Sequence, residues 1–247
     1  MNRQIFLHVG FAKCGSTSLQ AALSSATGVL YPTSGRHNGE HLSFALGIRG
    51  IDNWTSQFFD QSWVDTENAR LMQEIHAGTG VAVMSSERLA ASTQEEIERI
   101  ADVLSRFDVR IIIVKRELES YIKSTWRHSV FFHDFAEGYE VFVERFKDFT
   151  FDEIEDRFRA IFPLHSFNLD APNYGEEIGA LLGTKLNIPI QNVGVPMALA
   201  ELLQKTHALL GTEEFKKRFD AETKQSMLDV WNGTTERLIQ ALDADLF

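Results

Sequence analysis

The sequence predicts an α/β fold, a central parallel sheet flanked by helices with a helical C-terminal part, and three observations carry that prediction. Short apolar, β-branched runs begin at Ile5, Val81 and Val109, and each is followed by a segment of helical periodicity. The run Val109-Arg-Ile-Ile-Ile-Val114 is apolar almost throughout, as a strand covered on both faces should be. Strand, helix, strand, helix, strand at these spacings makes crossover units, whose strands lie parallel with helices packed on both sides. At 247 residues the chain is within reach of one hydrophobic core, so residues 1–247 are read as a single domain.

The elements follow in order. The first strand breaks at Gly10, and a helix over 16–25 ends near Gly28, read as its C′ glycine. Residues 30–41 are rich in turn formers and read as surface loop, and 42–46 as a short helix. Residues 53–65 hold Trp54, Phe58, Phe59 and Trp63 among polar neighbours, which is either a satellite core or a binding wall. Ala69, Met72 and Ile75 mark a helix over 66–77, stopped by Gly78 and Gly80. The strand at 81–84 runs into Ser85-Ser-Glu-Arg88. A helix over 93–107 puts Ile97, Ile100, Ala101 and Leu104 on one face, with Glu95, Glu96 and Glu98 toward water and favourable to the helix dipole. After the strand at 109–114, helices are read over 117–128, 139–147, 151–162, 174–182, 197–210 and 221–242, with a further strand at 164–169.

Composition excludes several classes of function. A net charge of -11 argues against a general nucleic-acid binder, whose affinity is built from Lys and Arg. No run approaches the roughly 18 apolar residues of a membrane span. The single cysteine, Cys14, allows no intrachain disulfide and suits a reducing compartment. The short N-terminal apolar run flows into a glycine loop and reads as a core strand, not a signal peptide. A cytoplasmic protein is therefore expected.

In open parallel sheets ligands collect at the carboxyl ends of the strands. Three polar segments fall there: the loop after Val9, residues 85–88, and Lys115 onward. Residues 10–17 read G-F-A-K-C-G-S-T, close to the phosphate-loop pattern G-x-x-x-x-G-K-[ST]. Such a loop aims backbone N–H groups and the positive end of a helix dipole at one spot, where anions bind. Ser16 stands where a nucleotide triphosphatase keeps its lysine, and the only lysine, Lys13, lies inside the loop. Cys14, near a helix N-terminus, is either a low-pKa thiol or a small residue that fits the turn.

This loop resembles the 5′-phosphosulfate loop of sulfotransferases that use 3′-phosphoadenosine 5′-phosphosulfate (PAPS), roughly P-K-[ST]-G-T-[ST], with Ala12 in place of the proline and Cys14 in place of the hydroxyl residue. The family also carries an arginine at the end of the third such strand and a serine eight positions on; here Arg116 and Ser124 keep that spacing (124 − 116 = 8). Looser echoes are His165 to Asp170, Leu181-Leu-Gly183 and Asn192-Val-Gly-Val-Pro196.

The resemblance implies a P-loop NTPase-like three-layer fold, PAPS as sulfuryl donor, no metal, and a hydroxyl acceptor, either a small molecule or a saccharide of the carbohydrate or glycolipid kind. It places the donor's 5′ end on Ala12, Lys13, Cys14, Gly15, Ser16, Thr17 and Ser18, with Lys13 steadying the leaving group, and its 3′-phosphate on Arg116 and Ser124. A general base must lie within hydrogen-bond reach of the acceptor hydroxyl. Glu87 and His41 are the two candidates, and His128 and His133 are candidate acceptor contacts. A kinase and a non-catalytic nucleotide binder on the same fold are the alternatives. The kinase is disfavoured by Ser16 and by the absence of a metal-binding Asp after the strand at 81–84. His37-Asn-Gly-Glu-His41 also fits the zinc-hydrolase pattern H-x-x-E-H, which needs a regular helix that Gly39 weakens. Nothing in the sequence sets an oligomeric state.

Overall fold

The computed structural model describes residues 3–189 and 195–244. Five parallel strands, β1 (Gln4–Val9), β2 (Val29–Leu30), β3 (Val81–Ser86), β4 (Asp108–Lys115) and β5 (Leu164–Asn168), form one sheet in the order β2-β3-β1-β4-β5. β1 lies between β3 and β4, so the chain leaves it first toward one edge and later toward the other. That reversal opens a crevice at the carboxyl end of β1.

The period-2 alternation of the strands sorts their side chains onto two faces. Phe6, Val83, Ile112 and Val114 meet Leu19 and Leu23 of α1 (Ser16–Ser25) and Ile178 and Leu182 of α8 (Tyr174–Leu182) in one buried cluster. Ile5, Leu7, Met84, Ile111 and Ile113 are buried on the other face, where α7 (Phe151–Arg159) packs on β4 and β5. The fold is therefore the helix-flanked parallel sheet that the strand spacing predicts. Between these elements lie α2 (Leu42–Arg49), α3 (Gln61–Ala77) and α4 (Gln94–Val103).

Several boundaries differ from expectation for local reasons. The helix predicted over 66–77 starts at Gln61, because the Asp60 carboxylate caps it by accepting from Trp63 N–H at 2.8 Å. The helix predicted over 93–107 is closed at its start by a capping box between Thr93 and Glu96 but ends at Val103. α1 ends through Ala26 in extended conformation, so Gly28 is not its C′ residue. β3 continues through Ser85 and Ser86, which brings Glu87 directly onto the sheet end, at the start of a 3-10 turn over Glu87–Ala91. Of the four aromatics at 53–65, Phe59 and Trp63 pack on Leu42, Leu46 and Val64, while Trp54 and Phe58 are exposed.

The chain divides into two compact units, Met1–Leu118 with Thr150–Asn192, and Glu119–Phe149 with Val193–Phe247. The first holds the sheet. The second is helical: most of α5 (Leu118–His133), α6 (Tyr139–Glu144), α9 (Met197–Leu210), α10 (Thr212–Arg218) and α11 (Ala221–Ala244). Its core joins Trp126, Phe131, Phe142, Leu199, Leu203 and Phe215. α10 has no counterpart in the sequence reading. Of the loop expected at 192–196, residues 192–194 lie outside the described residues. Among the described residues no helix is long and apolar enough to cross a membrane.

Candidate active site

The glycine loop joins β1 to α1. Its turn is closed by Cys14 N–H donating to Phe11 O at 3.2 Å, and two residues take left-handed backbone, Lys13 (φ 68°) and Gly15 (φ 78°). Gly15 is required twice over. A side chain there would be strained at that φ, and a Cβ would stand 2.7 Å from Leu169 Cδ1. Gly15 also provides no side-chain cap for α1, whose first turn holds no acidic residue. An uncapped, uncharged helix start is what an incoming anion needs.

Lys13 is half-buried, and burial lowers its pKa while Glu87 pulls it back up. Ala12 and Thr17 are exposed; Ser18 is buried. Ser16 is buried too, and its hydroxyl lies 3.4 Å from Phe11 O, on the inner side of the loop. Cys14 is buried against the loop, and burial pushes its thiol up to about 12. Burial thus favours the other alternative, in which Cys14 fills the turn as a small apolar group.

Arg116 follows β4 and reaches the same loop. Its Nη1 donates to Lys13 O at 3.2 Å, and Nη2 lies 3.8 Å from Asp170 Oδ1. The other Asp170 oxygen accepts from Glu117 N–H at 2.9 Å, which fixes the carboxylate beside the guanidinium. Arg116 Nε is buried without a hydrogen-bond partner among the described residues. Ser124 lies on α5, nearly two turns from its start, in the stretch of that helix assigned to the second unit. His128 and His133 are on the same helix, their rings 5.2 Å apart.

Glu87 stands at the end of β3. Burial raises its pKa, and Glu40 raises it further; the Ser16 hydroxyl and Lys13 ammonium pull it back. A carboxylate, a lysine and the loop thus share one neighbourhood. Arg88, the next residue, pairs with Asp52 at 3.1 Å and lies 3.9 Å from Glu40, with its guanidinium over the Trp54 ring.

His41 is not free to act with them. It is 1 % exposed, its Nδ1 accepts from Ser85 N–H at 3.1 Å, and its Nε2 lies 3.1 Å from Pro32 O. Both ring nitrogens are engaged in the neutral form, and burial pushes the pKa down to about 4. As the second base candidate it is therefore corrected: no nitrogen remains to take a proton. The H-x-x-E-H reading falls with it. His37 and Glu40 exchange backbone hydrogen bonds across a two-residue turn, with Asn38 at φ 49° and Gly39 at φ 91°. That is a hairpin turn and not a helix.

Sequence reasoning missed the buried layer beneath the loop. His8 on β1 pairs in register with Ser85 on β3, and its Nδ1 lies 2.8 Å from Ser85 Oγ. Tyr31 donates its hydroxyl proton to Gly39 O at 2.7 Å. Ser85 Oγ accepts from Gln20 Nε2 at 3.0 Å and is hydrogen-bonded to His8 Nδ1. The other ring nitrogen, His8 Nε2, is buried without a partner among the described residues. It sits against Gly10, where a Cβ would lie 3.3 Å from it and 2.6 Å from Ser16 Oγ. Asp170 and Glu40, quoted in the sequence only as parts of longer motifs, are the other polar residues brought to this neighbourhood.

No protein-family model matches this chain, and no curated protein matches it. Among solved structures it is similar to a sulfotransferase from Alicyclobacillus acidocaldarius, with a TM-score of 0.51 at 16% identity, over 89% of this chain and 96% of that one. It also aligns, with a TM-score of 0.34 at 14% identity over 92% of this chain and 87% of that one, to a chain from the PezAT toxin–antitoxin system of Streptococcus pneumoniae, a likeness too slight to bear on the fold. The fold is sulfotransferase-like.

Proposed function

We propose that this chain is a PAPS-dependent sulfotransferase that transfers a sulfuryl group to a hydroxyl acceptor of the carbohydrate or glycolipid kind. The observation that carries this reading is the convergence of Arg116 and Lys13 on one uncapped helix start, with Glu87 facing the same lysine. The residues fit the donor's chemistry. Loop amides from Gly15 to Thr17 suit a phosphate, the Cys14 N–H being held by Phe11 O, and a guanidinium offers paired donors to a second one.

When bound, the donor supplies an activated sulfuryl group. Glu87 takes the proton from the acceptor hydroxyl while that oxygen bonds to sulfur and the sulfur–oxygen bond to the 5′-phosphate breaks. Lys13 steadies the charge that gathers on the departing phosphate, leaving adenosine 3′,5′-bisphosphate. Arg116 is assigned to the 3′-phosphate, and the chain is read as one functional domain working in the cytoplasm without a metal.

The test is incubation with PAPS carrying labelled sulfur and a panel of saccharide and glycolipid acceptors. Labelled acceptor formed by the wild type and lost in Glu87→Gln supports the reading. Activity with ATP and Mg²⁺ but none with PAPS overturns it.

A further inference from the structure

The hairpin turn His37–Glu40 presents a second carboxylate at the end of β3 that no step above uses. Its backbone is held from several sides. The turn closes on itself through His37 N–H to Glu40 O at 2.8 Å and Glu40 N–H to His37 O at 3.1 Å. Tyr31 donates to Gly39 O at 2.7 Å, and the next residue, His41, is locked between Ser85 and Pro32. The side chain is held as firmly. Ser86 Oγ donates to Glu40 Oε2 at 2.8 Å, and Arg88 Nε lies 3.9 Å from Oε1.

Ser86 and Arg88 are the two neighbours of Glu87 in the chain, so Glu40 is fixed by the residues that flank the proposed base. We infer that Glu40 is a positioning residue of this site, a negative charge fixed by both chain neighbours of Glu87; this rests on the function proposed above. A like charge nearby disfavours the ionised form of a carboxylate, and a stronger base is better matched to near-neutral pH.

The groups facing Glu87 are Glu40 on the hairpin side and Lys13 with the Ser16 hydroxyl on the loop side; the buried Cys14 thiol feels the same carboxylate. Arg88 does not cancel Glu40, because its guanidinium is shared with Asp52 at 3.1 Å. Glu87 thus feels opposed charges, cationic from the loop and anionic from the hairpin.

The experiment is a carbon-13 NMR titration of the Glu87 carboxyl, without donor or acceptor, in wild type, Glu40→Gln, Glu40→Asp and Ser86→Ala. It is followed by the pH profile of sulfuryl transfer in the same proteins. Glu40→Gln should move the Glu87 midpoint to lower pH by roughly 0.5–1 unit, and the acidic limb of the transfer profile should move with it, while affinity for adenosine 3′,5′-bisphosphate holds. Glu40→Asp should retain most of the wild-type midpoint. Should Glu40→Gln not fold, Ser86→Ala, which frees one Glu40 oxygen, should give a smaller shift of the same sign. An unchanged Glu87 midpoint in the folded variants overturns the inference, even with transfer intact. A shifted midpoint with no transfer in the wild type supports the pairing and contradicts the proposed function.

Discussion

The Arg116 guanidinium donates from Nη1 to the carbonyl oxygen of Lys13, 3.2 Å away and 103 residues earlier in the chain. Lys13 is in left-handed backbone, a conformation that costs a non-glycine residue free energy and persists only when its surroundings hold it. The arginine therefore ties down the loop, and in the proposed function it also offers its remaining donors to a ligand.

Removing it should weaken both. Arg116→Ala is expected to lose most of the thermal stabilisation given by adenosine 3′,5′-bisphosphate. At about 100 times its dissociation constant a ligand stabilises by about 2.7 kcal/mol, several degrees of melting temperature in the wild type. Differential scanning fluorimetry with and without the nucleotide reads this directly. An equal shift in the variant would remove Arg116 from the site.

Gly15→Ala tests the loop geometry separately. The added Cβ meets Leu169 Cδ1 at 2.7 Å and the backbone is at φ 78°. The cost should be about 1–3 kcal/mol, and the melting temperature should fall by roughly 2–4 °C per kcal/mol for a chain of this size. An unshifted melting temperature would mean that Leu169 and the loop yield without strain.

Lys13→Ala should leave the protein folded and reduce sulfuryl transfer by ~10²–10³, measured as initial rates at saturating donor. Bisphosphate binding should weaken far less, because the amides and Arg116 remain. Unchanged turnover would refute the role given to Lys13.

Acid should destabilise the protein before its carboxylates titrate. Burial pushes His8 and His41 down to about 4 from 6.5. The unfolded chain therefore binds more protons than the folded one between those values. The stability from these neutral histidines is complete above about pH 6.5 and is lost as pH falls toward 4, by at most about 1.4 kcal/mol per pH unit for each. The lowered carboxylates Asp52, Glu74 and Asp220 start from ordinary values of 4.5 or less, and Glu87, whose pKa is raised, gains stability on protonation as pH falls, so a decline between pH 6.5 and 5 reports on histidine. Urea midpoints measured at half-unit intervals check it; a flat profile over that span would contradict the neutral, buried network.

What the sequence showed follows from how local each signal is. The strands and most helices were legible because burial on a sheet face or a helix face imprints a short period on contiguous residues. The glycine loop was legible because its ligands are consecutive. His8, Ser85, Gln20 and Tyr31 meet only through strand register and helix packing, so no spacing announces them. Glu40 depends on a hairpin that residues 37–40 close, and its partners Ser86 and Arg88 lie on another element. His41 read as a free histidine because a polar loop gives no sign that its ring is enclosed by Ser85 and Pro32. β2, two residues long, and α10, set off from α9 by Gly211, are too short to impose a period.

Isothermal titration tests the central claim most directly, comparing adenosine 3′,5′-bisphosphate with adenosine 5′-phosphate on wild type and Arg116→Ala. The account predicts tighter binding of the bisphosphate by the wild type and near-equal affinities in the variant, since the guanidinium recognises the 3′-phosphate. Equal affinity for both nucleotides in the wild type, or a bisphosphate preference that survives loss of Arg116, would contradict it.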